Sequence, residues 1–251
     1  MKVAFRHPYD FVCGIGHYCA TATYLKRHFL RAASGPLDWI GESPEGLRKS
    51  VELIATDFKD FLRECNLVLL DHPAGAHDDL ENDYYRDTAT GMLVYHEFAA
   101  GEPLSETFPA VRSKYDRRIA RFYRLAQSGR TLLVFQTYTS HPAEVDLLEA
   151  IRRLRERLGE QTDLLVIESI ANQEQPTFEE LEAGLYLARG NFHRPEIHWL
   201  IGDYPILDRV YSAIPYRGKL RLRFRKAFGK IVSSFHFSKE ARHRARAKFQ
   251  G

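Results

Sequence analysis

The chain has 251 residues, is 44% hydrophobic and 27% charged, and carries a formal net charge of +3, which describes an ordinary soluble globular protein with room for one large domain or two small ones. No window approaches about 18 consecutive apolar residues, which excludes a predicted membrane-spanning helix, and Met1–Asp10 lacks the apolar core of a signal peptide, so export by that route is not expected. Three cysteines, Cys13, Cys19 and Cys65, exclude a disulfide scaffold and point to a reducing, cytoplasmic setting, and the Cys13–Cys19 spacing matches no zinc knuckle, so neither a metal nor a cofactor is expected.

In chain order, Lys2–Arg6 reads as a short first strand and Gly14-Ile15-Gly16 as a Gly-rich turn. Cys19 to about Arg31 follows as a helix, with Ala22, Leu25 and Phe29 at helical spacing, stopped by Ser34-Gly35-Pro36. Asp38-Trp39-Ile40 is extended. A helix starts at Ser43-Pro44-Glu45, with Leu47, Val51, Ile54, Phe58 and Phe61 along one face. Asn66–Leu70 reads as a buried strand, Ala74–Thr90 as a polar loop or hairpin, and Gly91–Phe98 as a strand whose end carries His96. Val111–Gln127 is a basic helix. Thr131–Gln136, Ala143–Leu158 and Asp163–Glu168 then read as strand, amphipathic helix, strand, the pattern of a crossover between parallel strands. Beyond Pro176 the pattern weakens to a candidate strand at Ile197–Ile201 and a helix over Asp203–Ala213. The expected fold is α/β: a central, largely parallel sheet flanked by helices over residues 1–215, followed by a basic amphipathic tail over 216–251.

A Gly-rich turn that delivers Cys19 to the first turn of a helix puts its sulfur beside unpaired N–H groups and the positive end of the helix dipole, which favour a reactive thiolate. The competing reading is a small buried residue packing a helix on a sheet. Arg31, Arg117 and Arg118 are candidates to clamp a phosphate or carboxylate, or else, as for Arg117, to form a solvated helix face paired with Asp116 and Glu106. The run from Asp71 and His72 through His77, Asp78 and Asp79 to Glu81 and Asp83 offers ligand atoms but no metal-binding pattern, and reads as a polar surface loop.

The segments Gly16-His17-Tyr18-Cys19, Leu25-Lys26-Arg27-His28-Phe29-Leu30-Arg31 and Ser34-Gly35-Pro36-Leu37-Asp38-Trp39 form one block. His96-Glu97-Phe98 forms a second, and Arg117-Arg118-Ile119-Ala120-Arg121-Phe122 a third. In order and spacing they resemble the bacterial family of putative papain-like cysteine peptidases, a domain of unknown function, over roughly residues 11–215. Gly14-Ile15-Gly16 stands where that family has Ser-Leu-Gly, Leu37 where it has Phe, and Glu97 where it has Asp; neither the cysteine nor the histidine is lost. The resemblance implies a Cys19–His96 pair with Asp38 orienting the imidazole. It also makes Gly16, His17, Arg31, Ser34 and Trp39 of the first block, and Arg117 and Arg118 of the third, candidates to bind substrate. The residue types suit a thioester mechanism, with the first N–H groups of the Cys19 helix as an oxyanion hole. Papain-like folds place the cysteine on a helical lobe and the histidine on a largely antiparallel sheet, whereas Thr131–Glu168 predicts parallel strands. His96 could equally bond the backbone at its strand end, and Asp38 could cap the turn after Pro36.

The function expected is a cysteine hydrolase acting on a peptide, amide or ester. The alternative is a transferase acting on surface-polysaccharide or lipid-linked intermediates at a membrane. From Arg217 onward the chain has twelve Lys and Arg against one acid, Glu240, interleaved with Leu220, Leu222, Phe224, Phe228, Ile231 and Val232. The expected partner of residues 217–251 is an anionic membrane surface, with docking on the protein's own acidic body as the other reading. The acidic body and the lack of a binding motif give no reason to expect nucleic acid.

Overall fold

A computed structural model describes residues 1–16, 18–41, 43, 45–70, 81–137, 142–173, 175–192 and 205–224. Its backbone is a five-stranded sheet in the order β1-β6-β7-β9-β8, with strands at Phe11–Gly16 (β1), Thr131–Thr137 (β6), Thr162–Ser169 (β7), Leu185–Gly190 (β9) and Thr177–Glu182 (β8). The first four strands are parallel neighbours and only β8 runs antiparallel, against β9. A smaller antiparallel sheet has the order β2-β5-β4-β3, from Ile40–Gly41 (β2), Leu93–Ala99 (β5), Asn82–Asp87 (β4) and Leu67–Leu69 (β3). The helices are Tyr18–Arg27 (α1), Leu47–Ala55 (α2), Leu104–Ala126 (α3), Glu144–Leu158 (α4) and Pro205–Ala213 (α5). The fold is α/β, as expected.

The parallel strands are apolar on both faces, and their residues separate by parity. Cys13, Ile15, Leu133, Phe135, Leu164, Val166, Leu185 and Leu187 join a core completed by α2, α3, α4 and the antiparallel sheet. Val12, Leu132, Val134, Leu165, Ile167, Tyr186 and Ala188 face a second core closed by α1 and α5 through Tyr24, Leu25, Leu207, Val210 and Tyr211. Helices covering both faces of the sheet explain why its strands show no polar alternation.

The β6–α4–β7 crossover stands where the sequence pattern puts it, with Thr131 opposite Thr162 and Thr137 opposite Glu168. Several expectations change: Asp38 and Trp39 lie in a turn rather than an extended segment, and α2 ends at Ala55, short of Phe58 and Phe61. Residues Lys2–Arg6 form no strand; the first strand is the Gly-rich segment itself, buried at all six positions. Leu67–Leu69 is an outer strand with Val68 and Leu69 exposed, not a buried one. The polar stretch before Thr90 contains β4, which pairs with β5 as a hairpin. Helix α3 starts at Leu104 and runs through Pro109, which removes a single N–H from the ladder. The β8–β9 pair was not foreseen at all. The candidate strand at Ile197–Ile201 and the run at 71–80 lie outside the described residues.

Candidate active site

The carboxyl end of β1 feeds directly into α1, and Cys19 is that helix's second residue. Thr21, one turn in, donates its hydroxyl to the Gly16 carbonyl at 2.9 Å and ties the helix start to the strand end. Gly16 is required by a close approach: a Cβ there would lie 2.4 Å from two ring carbons of Phe135, a fully buried side chain on the neighbouring strand. Gly16→Ala is therefore expected to cost about 1–3 kcal/mol through overpacking and to shift the start of α1. Thermal unfolding checks it; a variant that melts with the parent would mean that the ring gives way without cost.

The sulfur of Cys19 lies 3.5 Å from His96 Nε2. The two residues differ in access: Cys19 is buried, at 7% exposure, whereas His96 is exposed. His96 belongs to β5 and is held from both sides. On one side β2 pairs with β5 through Ile40 opposite Val94 and Gly41 opposite Leu93. On the other, the next residue, Glu97, turns its side chain into the protein. There it accepts a hydrogen bond from the Tyr115 hydroxyl at 2.9 Å and forms ion pairs with Arg118, at 3.3 Å, and with Lys114. Glu97 thereby anchors β5 to α3.

Asp38 lies in the connection between α1 and β2, at 3% exposure. Its Oδ2 accepts hydrogen bonds from Arg31 Nε and the Gly35 N–H, both at 2.8 Å, and a second Arg31 nitrogen is 2.7 Å away. Arg31 also donates to Ser34 Oγ at 2.8 Å and lies over the Trp39 ring at 5.4 Å, while Arg121 of α3 donates to the Ser34 carbonyl at 2.8 Å. The first and third sequence blocks therefore meet, with Asp38 and Ser34 as acceptors and Arg31 and Arg121 as donors. Among the described residues no hydrogen bond joins Asp38 to His96.

The electrostatics differ from the sequence expectation. Burial pushes the Cys19 thiol up to about 11, a hydrogen bond from its own backbone N–H lowers it by less, and the Asp38 charge raises it further. The helix terminus does favour the thiolate, but desolvation outweighs it. Cys13, buried on β1 beside Gly35, is raised well above its ordinary value for the same leading reason, with Asp38 adding and Arg31 and Arg121 opposing. Both sulfurs rest as neutral thiols.

Of the residues the sequence singles out, Cys19 and His96 come together. Arg31, Ser34, Asp38 and Trp39 form the adjoining cluster, and Gly16 supports the strand end. Arg118 is engaged by Glu97 and lies 4.8 Å over the Tyr115 ring. Arg117 is exposed and donates to Ser113 at 2.7 Å, while Asp116 is taken by Arg112. His17 lies outside the described residues. Glu97 and Arg121 were not singled out as site residues; their signal was the three- and four-residue spacing that puts Tyr115, Arg118, Arg121 and Phe122 on neighbouring rows of one helix. Among the described residues no group of three His, Cys, Asp or Glu side chains is arranged to hold a metal ion, and no helix is long and apolar enough to cross a membrane. A cleft between α2 and α4, lined by Leu47, Val51, Asp146 and Arg153 among others, includes neither Cys19 nor His96.

No curated protein and no solved structure matches the chain. The family described as putative papain-like cysteine peptidase, a domain of unknown function, matches residues 10–170, a span that contains the Gly16–Cys19 strand end, the Asp38 turn, His96 and the whole β6–α4–β7 unit. A buried cysteine at a helix start facing a strand-borne histidine agrees with that description, and the chain belongs to this family of putative papain-like cysteine peptidases.

Proposed function

We propose that the protein is a cysteine hydrolase that opens a peptide, amide or ester bond through a Cys19 thioester. The observation that carries this reading is the 3.5 Å approach of Cys19 Sγ to His96 Nε2 between two separate sheets. Because burial holds the thiol neutral, the proton leaves sulfur as sulfur attacks the acyl carbon: His96 Nε2 takes it, the S–C bond forms, and the carbonyl oxygen gains the negative charge. The Cys19 N–H is a candidate donor to that oxyanion. His96 returns the proton to the departing amine or alcohol, and water, deprotonated by the same imidazole, then releases the acid and restores the thiol. Asp38 acts as a positioning residue: it holds the turn that leads from the cysteine's helix to the strand pairing with β5. The transferase reading has less support, since Arg31 and Arg118 are engaged by Asp38 and Glu97 rather than presented to a ligand.

The test is acylation by a panel of p-nitrophenyl esters and peptide anilides, with the adduct located by peptide mass spectrometry. An adduct on Cys19 is expected, absent in Cys19→Ser and formed about 10²–10⁴-fold more slowly in His96→Ala. Turnover retained by Cys19→Ser, or acylation confined to the exposed Cys65, would end the hydrolase reading.

A further inference from the structure

After α5 the chain is stitched back to the body: the Tyr9 N–H donates to the Pro215 carbonyl at 2.7 Å and the Arg217 N–H to the Tyr9 carbonyl at 3.0 Å. Residues 219–224 then turn helical. Three cations of this stretch are directed at the protein. Arg217 pairs with Asp10 at 2.7 Å, Lys219 donates to the Ser212 carbonyl at 3.1 Å, and the Arg223 guanidinium lies 5.4 Å over the Phe29 ring. Two of its three large apolar side chains are exposed, Leu220 at 66% and Phe224 at 71%, while Leu222 is half-buried. Four residues apart, Leu220 and Phe224 share one helix face. An ordinary surface helix buries its apolar stripe; here Leu220 and Phe224 stay exposed, as Arg217, Arg221 and Arg223 do.

We propose that this face docks on a bilayer containing anionic lipid, with Leu220 and Phe224 entering the boundary between head groups and acyl chains, drawn there by the basic charge of the sequence from Arg217 onward. Two observations select lipid. The sequence from Arg217 carries twelve basic residues against one acid, complementary to an anionic surface. The outward apolar pair answers to a hydrocarbon boundary and to nothing in a phosphate backbone. Docking on the protein's own body is disfavoured, because Leu220 and Phe224 remain exposed with the helix already seated. The inference does not depend on the chemistry at Cys19.

The experiment is co-sedimentation of the full chain with phosphatidylcholine vesicles, with and without about 30 mol% phosphatidylserine. Binding is expected only with phosphatidylserine, and the double variant L220S/F224S, which keeps every charge, should partition at least about ten-fold more weakly while its melting temperature stays at the parent value. No binding to phosphatidylserine vesicles, or binding that the double variant leaves unchanged, overturns the proposal. Duplex DNA bound in preference to vesicles, with no effect of the double variant, likewise overturns it and assigns the basic segment to nucleic acid.

Discussion

At pH 7.5 Cys19 is expected to react with iodoacetamide about thirty-fold more slowly than an ordinary thiol, before any allowance for its burial. The thiol is raised to about 11, against about 8.5 for a free cysteine, so near neutrality its thiolate is about 300-fold scarcer. The more basic thiolate is intrinsically the better nucleophile, by about ten-fold over such an interval, which recovers part of the loss. The sign is set by the direction of the shift. A raised thiol means that the rate climbs about ten-fold per pH unit between pH 6 and 9 with no plateau, and His96→Ala leaves that slope in place because burial sets the thiol's shift. The exposed Cys65 serves as a comparison within the same digest. A plateau below pH 8 that disappears in His96→Ala would instead reveal a preformed thiolate–imidazolium pair, and the proton transfer proposed above would already be complete in the resting enzyme.

Asp38→Ala should destabilise the fold by about 3–5 kcal/mol, the cost of removing one member of a buried ion pair and leaving the other without compensation. The carboxylate is 3% exposed and receives Arg31 and the Gly35 N–H on one oxygen, so the variant strands a guanidinium and a backbone donor together. Arg31 keeps Ser34 Oγ and the Trp39 ring, which places the expected loss toward the lower end of that range. Asp38 Oδ1 is buried without a hydrogen-bond partner, so Asp38→Asn, which keeps the shape and can put its amide nitrogen at that position, should lose less. Urea unfolding of the two variants measures both. A loss under about 1 kcal/mol for Asp38→Ala would remove the turn-holding role, and acylation rates that survive the change would remove its link to His96.

The β6–α4–β7 unit was legible because each of its elements carries its own period: continuous apolar strands and a helix with Leu147, Ala150, Ile151, Leu154 and Leu158 buried in one stripe. The Gly-rich segment misled because glycine signals a turn when read locally. Its true cause is non-local, namely Phe135 on the adjacent strand and Thr21 on the following helix, whose side chains leave no room for a Cβ at Gly16 and little at Gly14. The β8–β9 pair escaped notice because Thr177–Glu182 carries four acids or hydroxyls in six residues and lies at the sheet's outer position, half in solvent. Gly184, at φ +80, was the available turn signal. The residue types of the site were readable, since three blocks in order carry them. Its protonation state was not: a helix start argues for a thiolate, and only the burial of the Cys19 sulfur reverses the sign.

The nucleophile and its base are carried by different sheets, Cys19 on the helix leaving β1 and His96 on β5, and the shortest covalent route between those layers runs through the Arg31–Gly41 connection. The pairing that ends this route is only two residues long, Ile40 and Gly41 against Val94 and Leu93. The sulfur–imidazole gap is thus set by how two layers align, not by a distance fixed within one element. A slip of the small sheet by a single ångström would disarm the pair without unfolding anything, and whatever presses that sheet into place would arm it.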